Sequence, residues 1–104
     1  NKSSSSSYYD VVFHEIFRPS GSEIYLRPAK NYIKLNQEVD FFEISKSSLT
    51  KSEIAIGYKL ERFSHIPVFN FNGKDLNYGV ITNPIKSKTI TFEELDFIIV
   101  FANN

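Results

Sequence analysis

The sequence predicts an α+β domain in which a small mixed or antiparallel sheet carries one main helix. Three stretches of the 104 residues lead to this prediction. Residues 52–60 alternate between large and small side chains, as in a strand with one bulky apolar face. Residues 40–50 combine a helix N-cap with an apolar stripe at helical spacing. Residues 97–102 form an uninterrupted apolar run, which is typical of a strand covered on both sides.

The composition fits one domain with one core. At 104 residues, with 41% hydrophobic residues, ten Phe and six Tyr, the chain can fill a core largely with aromatic rings. Twelve basic and twelve acidic residues give zero formal charge, which argues against a nucleic-acid partner. The chain has no cysteine, which excludes disulfides and thiolate metal sites. No apolar window reaches the roughly 20 residues of a membrane span, so we expect a soluble domain.

The N-terminal part is expected to differ from the rest. Residues 1–7 are polar and serine-rich and are interpreted as a disordered tail or linker, with residues 8–104 as the single domain. Residues 8–17 favour a strand by their β-branched and aromatic content, although a helical stripe also fits them. A turn at 18–21 would connect this segment to an alternating strand at 23–28.

The next segments lead into the helix. The connection at 29–37 holds three apolar residues expected against the core, namely Tyr32, Ile33 and Leu35. Asp40 and Glu43 have the spacing of a capping box, with Asp40 as the N-cap. The stripe facing the sheet is predicted to comprise Phe41, Ile44 and Ser48.

The stretch at 52–60 is expected to be the strand around which the chain is organised. Its core face is predicted to carry Ile54, Ile56 and Tyr58, so an aspartate replacing Ile56 should unfold the domain. The opposite face, with Glu53 and Gly57, is nearly bare. Small residues there indicate a close approach by another part of the chain.

The sequence after residue 60 contains only short patterns, each of which predicts a brief strand, turn or bend. Residues 61–66 prolong the strand or bulge away from it. Asn72-Gly73 is a strong hairpin-turn signal. The other predictions are a strand at 80–82, a turn at Asn83-Pro84, an exposed turn at 86–88, one helical turn at 91–94 and a last strand at 97–102.

Few residues have the pattern of a chemical site. The two histidines, His14 and His65, lack a partner at metal-binding spacing and are interpreted as surface or edge residues. The acidic group at 93–96 is either a solvated turn, with Asp96 holding the start of the last strand, or a weak cation site. Phe69 and Phe71 fit core packing better than base stacking. No nucleophile elbow or glycine-rich phosphate loop is present, so no catalytic residue and no metal ligand is assigned.

Four blocks in order carry a family resemblance: residues 23–29 with Tyr32, residues 53–59, residues 80–84 with Lys86 and Ser87, and residues 96–102. They resemble the C-terminal regulatory region of the Castor/Pollux ion channels, relatives of potassium channels with RCK domains. The resemblance runs from about residue 21 to 103. Residues before Arg18 match nothing in it, and the segment at 61–78 is longer than the family pattern.

The resemblance implies an RCK C-lobe similar to the TrkA C-terminal domain. Such lobes lie on the cytoplasmic side of the membrane, pair with copies or neighbouring lobes, and regulate a pore domain. Family members are coupled to calcium, but no calcium ligand is assigned here. The contact residues it suggests for a ligand or partner are Tyr25, Arg27, Tyr58 and Asn83. Arg27 either binds a carboxylate on a partner or ligand, or forms an ordinary surface salt bridge.

We therefore expect a non-enzymatic regulatory domain of a potassium or cation channel or transporter. Two alternatives stay open: an accessory or catalytic domain of a small-molecule enzyme that shares the fold, and a stand-alone interaction domain. A cleft with perturbed acid or base groups would favour the enzyme. An apolar face buried against a second copy would favour the regulatory domain.

Overall fold

The computed structural model describes residues 22–103, which form eight strands and one α-helix. The strands are β1 (Ser22–Pro28), β2 (Glu38–Asp40), β3 (Glu53–Lys59), β4 (Phe69–Phe71), β5 (Lys74–Leu76), β6 (Val80–Thr82), β7 (Thr89–Thr91) and β8 (Phe97–Asn103). The helix is α1 (Phe41–Thr50), and two 3-10 helices cover Ala29–Asn31 and Glu61–Phe63. The predicted tail, the strand at 8–17 and the turn at 18–21 lie outside the described residues. Within the described part, no helix is long and apolar enough to span a membrane.

The main sheet has four strands in the order β1-β8-β3-β6, and each neighbouring pair is antiparallel. Two small two-stranded sheets, β2-β7 and β4-β5, accompany it. Together with α1, this confirms the predicted α+β class with a small antiparallel sheet. The last strand is internal, as predicted. Ile98 and Val100 are fully buried on the face toward α1, and Ile99 is 6% exposed on the other face.

The helix begins as its sequence predicts. The Asp40 carboxylate accepts from the Glu43 N–H, and the Glu43 carboxylate accepts from the Asp40 N–H, each at 3.0 Å. This reciprocal box satisfies backbone donors that the first helical turn leaves free. The predicted stripe is buried: Phe41, Ile44 and Ser48. It packs α1 onto β3.

The face assignment of β3 differs from the prediction. The pairing with β8 shifts between Ala55, opposite Val100, and Gly57, opposite Ile99, which leaves Ile56 as the extra residue of a β-bulge. The bulge exchanges the two faces of the strand. Glu53 and Ala55 therefore point toward α1 before it, and Tyr58 does so after it.

The prediction that Ile54 and Ile56 form the core face was therefore wrong. Both are half-buried and lie on the face away from α1, with Ile54 at the margin of the core. Gly57 does permit a close approach, as expected. A Cβ at Gly57 would lie 2.1 Å from the Ile81 carbonyl oxygen, so the backbone of β6 can pair here only with glycine.

The second half of the chain contains one confirmed turn and one wrong prediction. Asn72 and Gly73 join β4 to β5 with φ values of 52° and 83°, the positive pair expected of a type I′ hairpin. The predicted helical turn at 91–94 is absent. Thr91 ends β7, which pairs with β2, and the Glu93 N–H donates to the Asp96 carboxylate instead of to a cap at Thr91. Residues 61–66 bend away from β3 through the second 3-10 helix.

Candidate functional site

Two of the predicted contact residues, Tyr25 and Arg27, come together with Tyr32 and Glu53. We call these four residues the Arg27 cluster. The alternation of β1 places Tyr25 and Arg27 on the sheet face toward α1, because their β8 partners, Val100 and Ile98, are buried there. The Arg27 guanidinium lies over the Tyr25 ring, 4.6 Å from its centroid. This cation–π contact orients the guanidinium across the sheet.

Glu53 enters the cluster from β3. It pairs with Ala102 of β8, which in turn pairs with Glu23 of β1, so β8 separates Glu53 from the strand that carries Arg27. Across β8, Arg27 Nε comes within 3.4 Å of Glu53 Oε2.

Tyr32 closes the cluster from the connection that follows the first 3-10 helix. Its hydroxyl donates a 2.5 Å hydrogen bond to Glu53 Oε1. Tyr32 is 7% and Glu53 9% exposed, so the carboxylate is held by groups of the chain with little help from water. Burial, this hydrogen bond and the Glu53 charge raise the pKa of Tyr32, against the opposing effect of Arg27. The Lys51 ammonium lies 5.5 Å from the Tyr32 ring centroid.

These contacts leave part of the hydrogen-bonding capacity of the Arg27 guanidinium unsatisfied. Its Nε is buried and has no hydrogen-bond acceptor in the described part of the chain, while 38% of the side chain is exposed. Arginine presents its donors in a planar fork that matches carboxylates and phosphates. The cluster therefore anchors a guanidinium that, among the described residues, stays partly exposed and can meet an anionic group.

The other two predicted residues lie elsewhere. Tyr58 is 2% exposed and packs its ring against Phe92 and Phe41, with centroid distances of 5.5 and 6.3 Å. Burial raises its pKa to about 12, against a smaller opposing effect of Arg62. Asn83 is exposed with φ of 50°, and its side-chain oxygen accepts from Lys86 Nζ at 3.2 Å. Tyr58 thus belongs to the core and Asn83 to a turn.

Asp96 is a buried anchor whose full role the sequence did not reveal. It is 1% exposed, and its two oxygens accept from the Glu61 N–H at 2.8 Å and from the Glu93 N–H at 2.7 Å. Arg62 Nη1 lies 3.6 Å from Oδ2. The carboxylate therefore joins the second 3-10 helix to the start of β8. No group of three or more His, Cys, Asp or Glu in residues 22–103 could hold a metal ion.

Sequence reasoning missed the role of Glu53 as the partner of Arg27. Glu53 was expected on the bare face of its strand, and only the bulge at Ile56 places it toward α1. An acidic residue at the start of an otherwise apolar strand was the available signal. Tyr32 was noticed only as an apolar residue of a connection.

No protein-family model matches the chain. A probable ion channel, POLLUX of Arabidopsis thaliana, is 41% identical over 93 residues, which is 89% of this chain and 10% of that protein. The probable ion channel CASTOR of Oryza sativa subsp. japonica is 39% identical over 49 residues, and the ion channel CASTOR of Lotus japonicus is 37% identical over 49 residues. Each of these two matches covers 47% of this chain and 6% of the relative.

These relatives are named as ion channels and not as enzymes, and the chain spans only about a tenth of the length of POLLUX. The POLLUX match begins no later than residue 12, because only 11 of the 104 residues lie outside it. The expectation that the residues before Arg18 match nothing in these channels was therefore wrong. By sequence, about nine-tenths of the chain is therefore similar to a short segment of the probable ion channel POLLUX, and nearly half of it to a short segment of CASTOR.

Proposed function

We propose that this domain regulates a cation channel, potassium channels included, from the cytoplasmic side of the membrane by associating with further copies of itself. The similarity to POLLUX over 89% of the chain is the observation that carries the proposal. The pore belongs to another part of the channel. The domain acts on the pore as an RCK C-lobe would, and it has no catalytic activity of its own.

An apolar surface on the edge strand supports association. Ile24 and Leu26 of β1 are 61% and 51% exposed on the face away from α1. Leu26 pairs with Ile99, which extends the apolar character of this face toward the centre of the sheet. Large apolar side chains that are exposed side by side favour burial against another protein. A second copy offers the same surface and can form a symmetric contact.

Association can regulate a channel only if it differs between the closed and open states. A ligand or neighbouring domain that prefers one arrangement of the copies shifts the population toward it by its difference in affinity. Within this proposal the Arg27 cluster is the contact for an anionic group of a ligand or neighbouring domain. Coupling to calcium rests on the family resemblance alone.

The association is tested with the 104-residue chain in sedimentation equilibrium. We expect a dimer or larger assembly at high micromolar concentration, because a small apolar contact gives moderate affinity. Leu26→Glu should produce monomers, since it places a charge in the contact. Phe42→Glu is the matched control, because Phe42 is 57% exposed on α1, away from this face. A wild-type chain that stays monomeric at all concentrations would contradict association.

The regulatory part is tested by electrical recording from the channel that contains this domain. Leu26→Glu should change the open probability and Phe42→Glu should not. Equal currents from all three proteins would contradict a gating role. Turnover of a small molecule that is lost on His14→Ala or His65→Ala would instead establish an enzyme.

A further inference from the structure

A polar groove lies between β6 and the β4–β5 hairpin. Asn77 and Val80 form a two-way backbone bridge, with both N–H···O distances 3.0 Å, and beyond it β5 and β6 diverge without further pairing. The open space between them has a volume of about 720 Å³. The polar side chains that line it are Asn70, Lys74, Asp75, Asn77 and Thr82.

The edge strand β6 turns a backbone donor toward this groove. Leu60 N–H donates to Gly79 C=O, and Asn83 N–H donates to Ile56 C=O, each at 2.8 Å. Hydrogen-bonded pairs alternate along an antiparallel ladder, so Thr82, one residue from Asn83, points its N–H and C=O away from β3. The matching groups of Val80, on the same side, are already bonded to Asn77. The Thr82 N–H therefore faces the groove.

One lysine lines this groove and a second, Lys86, lies in the loop beside it. Lys74 lines the groove, and the hairpin turn beside it packs close to the loop of Lys86, since a Cβ at Gly73 would lie 3.2 Å from Ile85 Cδ1. Among residues 22–103, ion pairs form at Arg27, Lys30 and Arg62 and at neither of these two lysines.

The two ammonium groups also influence each other. Burial, and secondly the charge of Lys74, lower the pKa of Lys86. Lys86 Nζ is held by the Asn83 side-chain oxygen at 3.2 Å and by the Pro84 carbonyl at 3.1 Å, so it cannot turn away freely. Two neighbouring cations that form no ion pair within residues 22–103 favour an anionic ligand.

One carboxylate opposes this. Asp75 lines the same groove, and its Oδ1 lies 3.5 Å from Asn70 Nδ2. Its charge reduces the attraction of an anion without abolishing it, because Lys74 and Lys86 together outnumber it. Asp75 therefore provides a substitution that should strengthen binding.

We propose that this groove binds the phosphate group of a ligand. The Lys74 ammonium contacts the phosphate directly, and Lys86 adds its positive field. The Thr82 N–H and the Asn70 and Asn77 amides supply neutral donors. Lysine, side-chain amides and backbone N–H groups are the donors that proteins commonly direct at phosphate oxygens. The site is independent of the association proposed above, because it lies at the opposite edge of the sheet from β1.

The test is a titration of the 104-residue chain with pyrophosphate, followed by calorimetry and amide NMR at constant ionic strength. We expect saturable binding with a dissociation constant below about 1 mM and with shifts concentrated at Thr82 and its neighbours. Lys74→Ala should weaken binding about tenfold and Asp75→Asn should tighten it several-fold, by removal of an attractive and a repulsive charge. Lys88→Ala is the control, since Lys88 is exposed at the end of the same turn as Lys86 and does not line the groove.

Circular dichroism confirms the fold of each variant, and Lys74→Gln replaces Lys74→Ala if the latter does not fold. Vesicles of phosphatidic acid, compared with phosphatidylcholine, identify the source of the phosphate. If the chain binds phosphatidic acid vesicles and pyrophosphate competes with that binding, the phosphate belongs to a lipid headgroup. If the chain binds pyrophosphate but not the vesicles, the ligand is a soluble phosphate compound. Absence of saturable binding, or equal losses in Lys74→Ala and Lys88→Ala, would overturn the proposal.

Discussion

Arg27 Nε lies 3.4 Å from Glu53 Oε2, although the two residues belong to strands that are not neighbours in the sheet. The pair passes over β8 and connects the edge strand β1 to β3. Because Tyr32 donates to the other Glu53 oxygen, the same carboxylate also holds the connection between β1 and β2. One buried acidic group thus joins three parts of the chain.

We expect a double-mutant cycle of Arg27→Ala and Glu53→Gln to give a coupling energy of about 0.5–2 kcal/mol in urea denaturation. The side chain of Glu53 is 12% exposed, so loss of Arg27 leaves a poorly hydrated charge. The control is the pair Lys30–Glu94, with side chains 50% and 64% exposed, for which coupling near zero is expected. Equal coupling in the two cycles would show that Arg27 and Glu53 act as an ordinary surface pair.

Asp96→Ala should lower the free energy of unfolding by about 2–4 kcal/mol, because two backbone N–H groups lose their acceptor. Those donors belong to Glu61 and Glu93. Asp96→Asn keeps one oxygen and should cost less. Glu94→Ala, on the same turn but exposed, should change stability by less than about 0.5 kcal/mol. Chemical denaturation measures all three, and an Asp96→Ala variant as stable as Glu94→Ala would contradict the anchoring role.

The β-bulge predicts that Ala55→Asp is more damaging than Ile56→Asp. Ala55 is 9% exposed beneath α1, so a charge there enters the core and should prevent folding. Ile56 is half-buried on the other face, and an aspartate there can reach water. Thermal melts followed by circular dichroism distinguish the two variants. A folded Ala55→Asp together with an unfolded Ile56→Asp would place the bulge elsewhere.

Local signals in the sequence were sufficient for several elements. The box of Asp40 and Glu43 spans three residues, and the turn at Asn72-Gly73 needs only two with positive φ, so each is determined by neighbouring residues. The last strand was predicted as internal because its apolar run leaves no polar face for water. These features depend little on the rest of the chain.

Other features depend on distant partners. The bulge at Ile56 arises from the pairing of β3 with β8, which alternation within β3 cannot reveal. The strands β2 and β7 have three residues each and exist through their mutual pairing. Asp96 accepts from Glu61, 35 residues away, and was therefore assigned only to the start of its own strand. Glu53 was missing from the predicted site for the same reason, since its partners Arg27 and Tyr32 are distant from it in the sequence.

Stability should fall at alkaline pH through the buried tyrosines. The pKa of Tyr58 rises from 10.0 to about 12 on folding, and that of Tyr32 is also raised. Their contribution is complete below pH 10, because both states then keep the protons, and it decreases above pH 10 as only the unfolded chain ionises. Tyr58→Phe should make the decline shallower by up to about 1.4 kcal/mol per pH unit, measured by urea denaturation from pH 9 to about 12.

Phe92→Leu removes the ring against Tyr58 but keeps both tyrosines, so it should lower stability while retaining the wild-type slope. Equal slopes for Tyr58→Phe and the wild type would show that Tyr58 ionises alike in the folded and unfolded chain.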